Sequence, residues 1–60
     1  MKLYIIKKNG KKTVRKVFNT YEEARSYVRK LIRKQDPWYF WEFPNRNPNI
    51  INYGYNIEQL

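Results

Sequence analysis

The residues with the most chemistry to offer in this 60-residue chain are its cations. Lys7, Lys8, Lys11 and Lys12 surround Asn9-Gly10, Arg15 and Lys16 follow closely, and Arg25, Arg29 and Arg33 recur at intervals of four. A lysine ammonium is a mobile point charge, whereas an arginine fork grips phosphate or carboxylate oxygens bidentately. Spacing of four places the three arginines in one row along a helix. The chemistry expected is therefore noncovalent: neutralisation of phosphates by Lys7, Lys8, Lys11, Lys12, Arg15, Arg25, Arg29 and Arg33, with release of the counterions that a nucleic acid condenses. Each group also has a purely structural use. Charged residues on a hairpin discourage pairing between molecules, and bases late in a helix complement its dipole.

Covalent chemistry has little to work with. The chain has no Cys and no His, so a disulfide, a thiolate nucleophile, an imidazole base and a Cys/His metal site are all excluded. Ser26, Thr13 and Thr20 have no histidine to activate them. The adjacent carboxylates Glu22 and Glu23 are explained by a helix start, and two glycines do not make a phosphate-cradling loop. The expectation is a non-enzyme with no cofactor and no metal.

Charge and aromatic residues are divided along the chain. Residues 1–34 carry twelve of the thirteen Lys and Arg against Glu22 and Glu23, a net of +10, while residues 35–60 carry a net of −2. Seven of the eleven aromatic residues fall between positions 38 and 55. A field of this sign attracts polyanions and repels basic surfaces. Sixty residues make a single domain, 1–60, and a chain of that size buries only about 60% of the surface its unfolded form exposes. Large aromatic side chains compensate in part, and oligomerisation is the other route, left open by the sequence.

Only four apolar residues, Leu3 to Ile6, separate Lys2 from Lys7, too few for the apolar part of an export signal. A cytoplasmic protein is expected. Lys, Asn, Ile and Tyr supply 27 of the 60 residues, and their AT-rich codons point to a bacterial or phage genome.

Stepping along the chain gives the elements that must hold these cations. Asn9-Gly10 between residues 2–8 and 11–18 predicts a β-hairpin, since a type I′ turn needs positive φ at both central positions. A two-residue turn sets Ile5 opposite Val14 and Met1 opposite Phe18, with Leu3 on the same face. A one-residue bulge pairs Ile6 with Val14 instead. Thr20-Tyr21-Glu22-Glu23 reads as a capping box. From there Tyr21, Ala24, Tyr27, Val28, Leu31 and Ile32 follow the period of a helix that Asp36-Pro37 ends. Residues 38–43, Trp-Tyr-Phe-Trp-Glu-Phe, are rich in strand formers and predict a third strand. After a polar loop at 44–49, Ile51, Tyr53, Tyr55 and Ile57 alternate with polar or small residues as a fourth strand, with a bulge or close approach at Gly54. The expected fold is α+β: ββαββ, an antiparallel sheet with one helix packed on one face.

In this arrangement Lys8 lies opposite Lys11 and Lys7 opposite Lys12. Like charges facing across a ladder are destabilising, so something must offset them. The aromatic run at 38–43 reads first as core, with a stacking platform for single-stranded bases through Trp38, Tyr39 or Trp41 as the alternative. Residues 4–31, with their basic hairpin, Val17-Phe18-Asn19-Thr20 and then Glu22-Glu23-Ala24 opening a helix, are similar to the arm-binding domains of tyrosine integrases. That resemblance implies DNA binding through a sheet. The family has three strands before its helix where this chain has two, and it lacks the aromatic segment that follows here.

These readings converge on a non-enzymatic nucleic-acid-binding domain of low sequence specificity, its partner DNA or RNA. The alternative is a small protein-interaction module, of the kind a phage encodes to modulate a host protein, facing an acidic partner. A membrane surface ranks last.

Overall fold

A computed structural model describes residues 2–60 and shows a three-stranded antiparallel sheet, one long helix and one short one. Strand β1 (Tyr4–Lys8) is central, flanked on one side by β2 (Lys11–Lys12) and on the other by β3 (Tyr55–Gln59). Helix α1 (Tyr21–Gln35) covers the sheet, and α2 (Pro37–Glu42) packs on α1. The α+β class is as expected. The ββαββ order is not, because Pro37–Glu42 is helical and, among the described residues, only three strands form.

The hairpin turn is where Asn9-Gly10 puts it, with both residues at positive φ, 53° and 82°, and Lys7 pairs with Lys12 and Lys8 with Lys11. Beyond this the expected second strand stops short. The Thr13 amide donates to the Ile6 carbonyl, the chain then bulges, and Phe18 rejoins β1 by exchanging two 2.9 Å hydrogen bonds with Tyr4. Lys7 to Tyr4 is three positions, but Lys12 to Phe18 is six, so three extra residues are looped out. An odd insertion inverts which face the later residues occupy. An uninterrupted hairpin puts Val14 and Phe18 on the face away from Ile6; the bulge returns both to its side. The residues facing α1 are thus Tyr4 and Ile6 rather than Leu3 and Ile5, and the expected Met1 partner of Phe18 lies outside the described residues. The same bulge lets Arg15 and Lys16 reach solvent. A regular strand holding Val14 and Phe18 inward would hold Lys16 inward too, and an unpaired buried ammonium is costly.

Helix α1 begins with one half of the expected capping box: Thr20 is extended, and its hydroxyl accepts from the Glu23 amide at 3.1 Å, while among the described residues the Glu23 carboxylate does not reach back to the Thr20 amide. Ala24, Val28 and Ile32 form its buried stripe. Together with Ile6, Phe18, Phe40 and Tyr55 they make the core.

Asp36 serves two helices. Its amide donates to the Ile32 carbonyl at 2.7 Å, closing α1, and its carboxylate Oδ1 accepts from the Tyr39 amide at 3.3 Å, opening α2 with Pro37 in the first turn. Asp-Pro is both a helix stop and a good helix start. Strand propensity spans only about 1 kcal/mol, and a cap plus a preset proline outweigh it here. The helical turn separates the aromatics that a strand would have alternated: Phe40 is buried, Tyr39 half-buried, and Trp38, Trp41 and Phe43 are exposed.

The fourth expected strand is split. Residues Ile50–Tyr53 form a 3-10 turn capped by the Asn49 side chain, which leaves Ile51 72% exposed rather than in the core. Gly54 reverses the chain at φ 84°, and β3 then pairs Ile57 with Ile6 and Tyr55 with Lys8.

The second Asp36 oxygen accepts from the Tyr53 hydroxyl at 3.0 Å, tying this turn to the helix junction. Burial against its neighbours, then this hydrogen bond and the carboxylate charge, hold the phenol above its usual 10.0. A pKa raised by folding stabilises the fold below the ordinary value and stops doing so as pH climbs through the raised one. Tyr53→Phe is therefore expected to melt below the parent chain at neutral pH, with the gap closing above pH 10 in thermal melts. A gap that stays constant to high pH would show that the phenol titrates alike in the folded and unfolded chain.

Candidate functional site

Hairpin and helix lie alongside each other in a known sense. Tyr4, at the start of β1, meets Tyr21 at the start of α1 edge to face, with centroids 6.0 Å apart. Lys8, at its end, reaches Gln35 at the end of α1, with Nζ 3.5 Å from Oε1. The basic hairpin tip thus sits at the C-terminal end of α1, where Arg33 and Lys34 occupy the last turn. The acids of α1 itself, Glu22 and Glu23, are at its other end, in the first turn.

At the tip the offset for the opposed lysines comes from the third strand. Lys7 Nζ lies 2.8 Å from the Glu58 carboxylate, a diagonal neighbour on β3. Lys8 stands over the Tyr55 ring at 5.0 Å besides its contact with Gln35. A surface ion pair is worth at most about 1 kcal/mol, but it draws Lys7 away from the opposed Lys12. Lys11 and Lys12 are exposed and, among the described residues, have no carboxylate partner. Of the four tip lysines, two are engaged within the fold and two face outward.

Along α1 the expected arginine row divides. Arg29 and Arg33 both stand over the ring of Phe40, their guanidinium carbons 5.4 and 5.3 Å from its centroid. An aromatic face attracts and orients a cation. Arg29 also donates to the Pro44 carbonyl at 2.7 Å. These two, with Ser26 and Lys30, line an open recess of about 260 Å³ on the solvent side of the helix. Arg25 is half-buried and outside the recess, and Arg15 is exposed in the bulge. Ser26 and Lys30 are not among the expected site residues, although 26, 29, 30 and 33 are a plain i, i+3, i+4, i+7 stripe opposite the buried one.

Three cations and a hydroxyl line the recess, and no carboxylate does. Such a set can hold a phosphate or a comparable dianion: two forks supply bidentate donors, and lysine and serine supply adjustable ones. A neighbouring hollow between Lys16, Glu22, Glu23 and Lys30 mixes both signs and lacks that selectivity. Among the described residues no group of three or more acidic, His or Cys side chains could hold a metal ion, and no helix is long and apolar enough to cross a membrane.

No protein-family model, curated protein or solved structure matches this chain.

Proposed function

We propose that this chain is a small non-enzymatic nucleic-acid-binding domain that grips phosphates with Arg29, Lys30 and Arg33 on α1 and with Lys11 and Lys12 at the hairpin tip, reading little sequence. The supporting observation is the acid-free recess on α1, whose two guanidiniums are already held over Phe40. Holding them in advance lowers the entropy lost when a phosphate docks. Lys7 and Lys8, engaged by Glu58, Gln35 and Tyr55, contribute field rather than direct contacts. The 3.5 Å contact of Lys8 with Gln35 puts the hairpin tip at the C-terminal end of α1, the end whose last turn carries Arg33 and Lys34, so both basic groups add to the positive field there.

Binding to random-sequence DNA from about 50 to 200 mM salt tests the reading, since log affinity falls linearly with log salt in proportion to the phosphates neutralised. The double variant Arg29→Ala/Arg33→Ala is expected to lower that slope by about 1.4 to 1.8, at roughly 0.7 per phosphate for single strands and 0.9 for duplex. Absence of binding at the low-salt end, or a slope the double variant leaves unchanged, would overturn the assignment.

A further inference from the structure

Helix α2 presents to solvent the two largest side chains in the protein. Trp38 and Trp41 are 64% and 73% exposed, their ring centroids 4.8 Å apart and their planes inclined by 36°. Both tryptophans of the chain are here. The core has no need of them, because α2 supplies it with Phe40. An exposed indole forgoes most of the burial free energy of a ring that size, and two side by side form a patch of the kind that marks a contact surface.

The mount beneath the pair is firm. Asp36 and Pro37 start the helix, the Phe43 amide closes it on the Tyr39 carbonyl at 2.9 Å, and Phe40 anchors it in the core. The chemistry next to the pair narrows its occupant. Phe40, chain neighbour of Trp41, is the ring on which Arg29 and Arg33 rest. One helical turn thus seats two guanidiniums on one side and shows two indole faces on another, and a helix is only about 10–12 Å across with its side chains. Glu42 is the one carboxylate of α2, against the three cations of the recess.

Resting on the nucleic-acid reading above, we propose that the preferred ligand is a single strand, whose phosphates lie along the Arg29, Lys30 and Arg33 recess while its bases stack on Trp38 and Trp41. A single strand is the polymer that offers flat apolar rings and anionic links in alternation. Duplex DNA keeps its base faces stacked inside and shows the indoles only its edges and backbone. Aromatic stacking with neighbouring cations is also how sequence-tolerant single-strand binders work.

The test uses the full chain with oligothymidylate, a duplex of equal phosphate count and an abasic deoxyribose-phosphate strand, all at one salt concentration. Tryptophan emission reports on this platform alone. The expected result is quenching by oligothymidylate, tighter binding of it than of duplex, and weaker binding of the abasic strand without quenching. Trp38→Ala and Trp41→Ala should each weaken oligothymidylate binding about 5- to 150-fold, the range for one lost stack. They should leave the chain folded and duplex affinity unchanged, because neither ring is in the core. Equal binding of single strand and duplex with no quenching would overturn the stacking proposal and leave phosphate binding standing. Failure of all three nucleic acids to bind at about 50 mM salt would overturn the underlying reading as well. A blue shift on anionic phospholipid vesicles, with no response to oligothymidylate, would assign the indoles to a lipid surface and overturn the proposal.

Discussion

Phe40→Ala should leave the chain largely unfolded at 25 °C. Phe40 is 4% exposed and is the residue through which α2 enters the core. Truncating a buried Phe to Ala costs about 3–5 kcal/mol, from the lost burial plus the cavity left behind. A domain below about 70–80 residues with no disulfide or metal rarely has more than about 3–5 kcal/mol in all, so the loss is comparable to the whole. The ring also seats Arg29 and Arg33, so its removal frees two guanidiniums. Phe40→Leu separates the two roles: it keeps most of the apolar volume and should fold, but it has no π face, and its phosphate affinity should drop. Far-UV circular dichroism and urea midpoints check the first claim, and DNA titration checks the second. A Phe40→Ala chain melting like the parent would mean that α2 is not part of the cooperative core.

Gly54→Ala carries the second largest effect. Gly54 sits at φ 84°, where a residue with a Cβ is strained by about 1–2 kcal/mol. The added Cβ would also lie 2.7 Å from the Asn9 Oδ1 atom, inside any normal contact distance. The Asn9 side chain must rotate to make room, because its backbone cannot move aside. It is itself held at φ 53° in the hairpin turn, and its amide donates to the Gly54 carbonyl at 2.9 Å. The substitution therefore loosens the seam where β3 joins the hairpin tip, beside the Lys8–Tyr55 pair. Gly10→Ala is the matched control, since it has nearly the same φ, 82°, and nothing within 4 Å of the new Cβ. The expected order of urea midpoints is parent, then Gly10→Ala, then Gly54→Ala. Equal losses for the two glycines would show that contact with Asn9 adds nothing to backbone strain.

The local signals in the chain were legible because each depends on a few neighbouring residues. Asn9-Gly10 specifies its turn through positive φ, Thr20 and Glu23 start α1 through a cap, and the stripe from Ala24 to Ile32 announces its buried face. The recess was half legible: Arg29 and Arg33 stood out by spacing, while Ser26 and Lys30 belong to the same stripe and needed only the helix period to find. At 38–43 two local signals conflicted, aromatic strand propensity against an Asp-Pro helix start, and the capped start prevailed through hydrogen bonds and a preset φ rather than through average preference.

Sequence by itself determined the turn, the long helix, the α+β class and the concentration of positive charge, because these follow from short-range sterics, capping and composition. Tertiary structure alone decided three further matters. The bulge after Thr13 is set by the need to bring Val14 and Phe18 to the side of Ile6 without burying Lys16, a requirement that exists only once α1 covers the sheet. The division of the lysines follows from β3, fifty residues along from β1, bringing Glu58 to Lys7 and Tyr55 to Lys8 and leaving Lys11 and Lys12 open. The exposure of Trp38 and Trp41 follows because one buried aromatic, Phe40, suffices to close the core over α1, so the neighbouring indoles are left to face solvent.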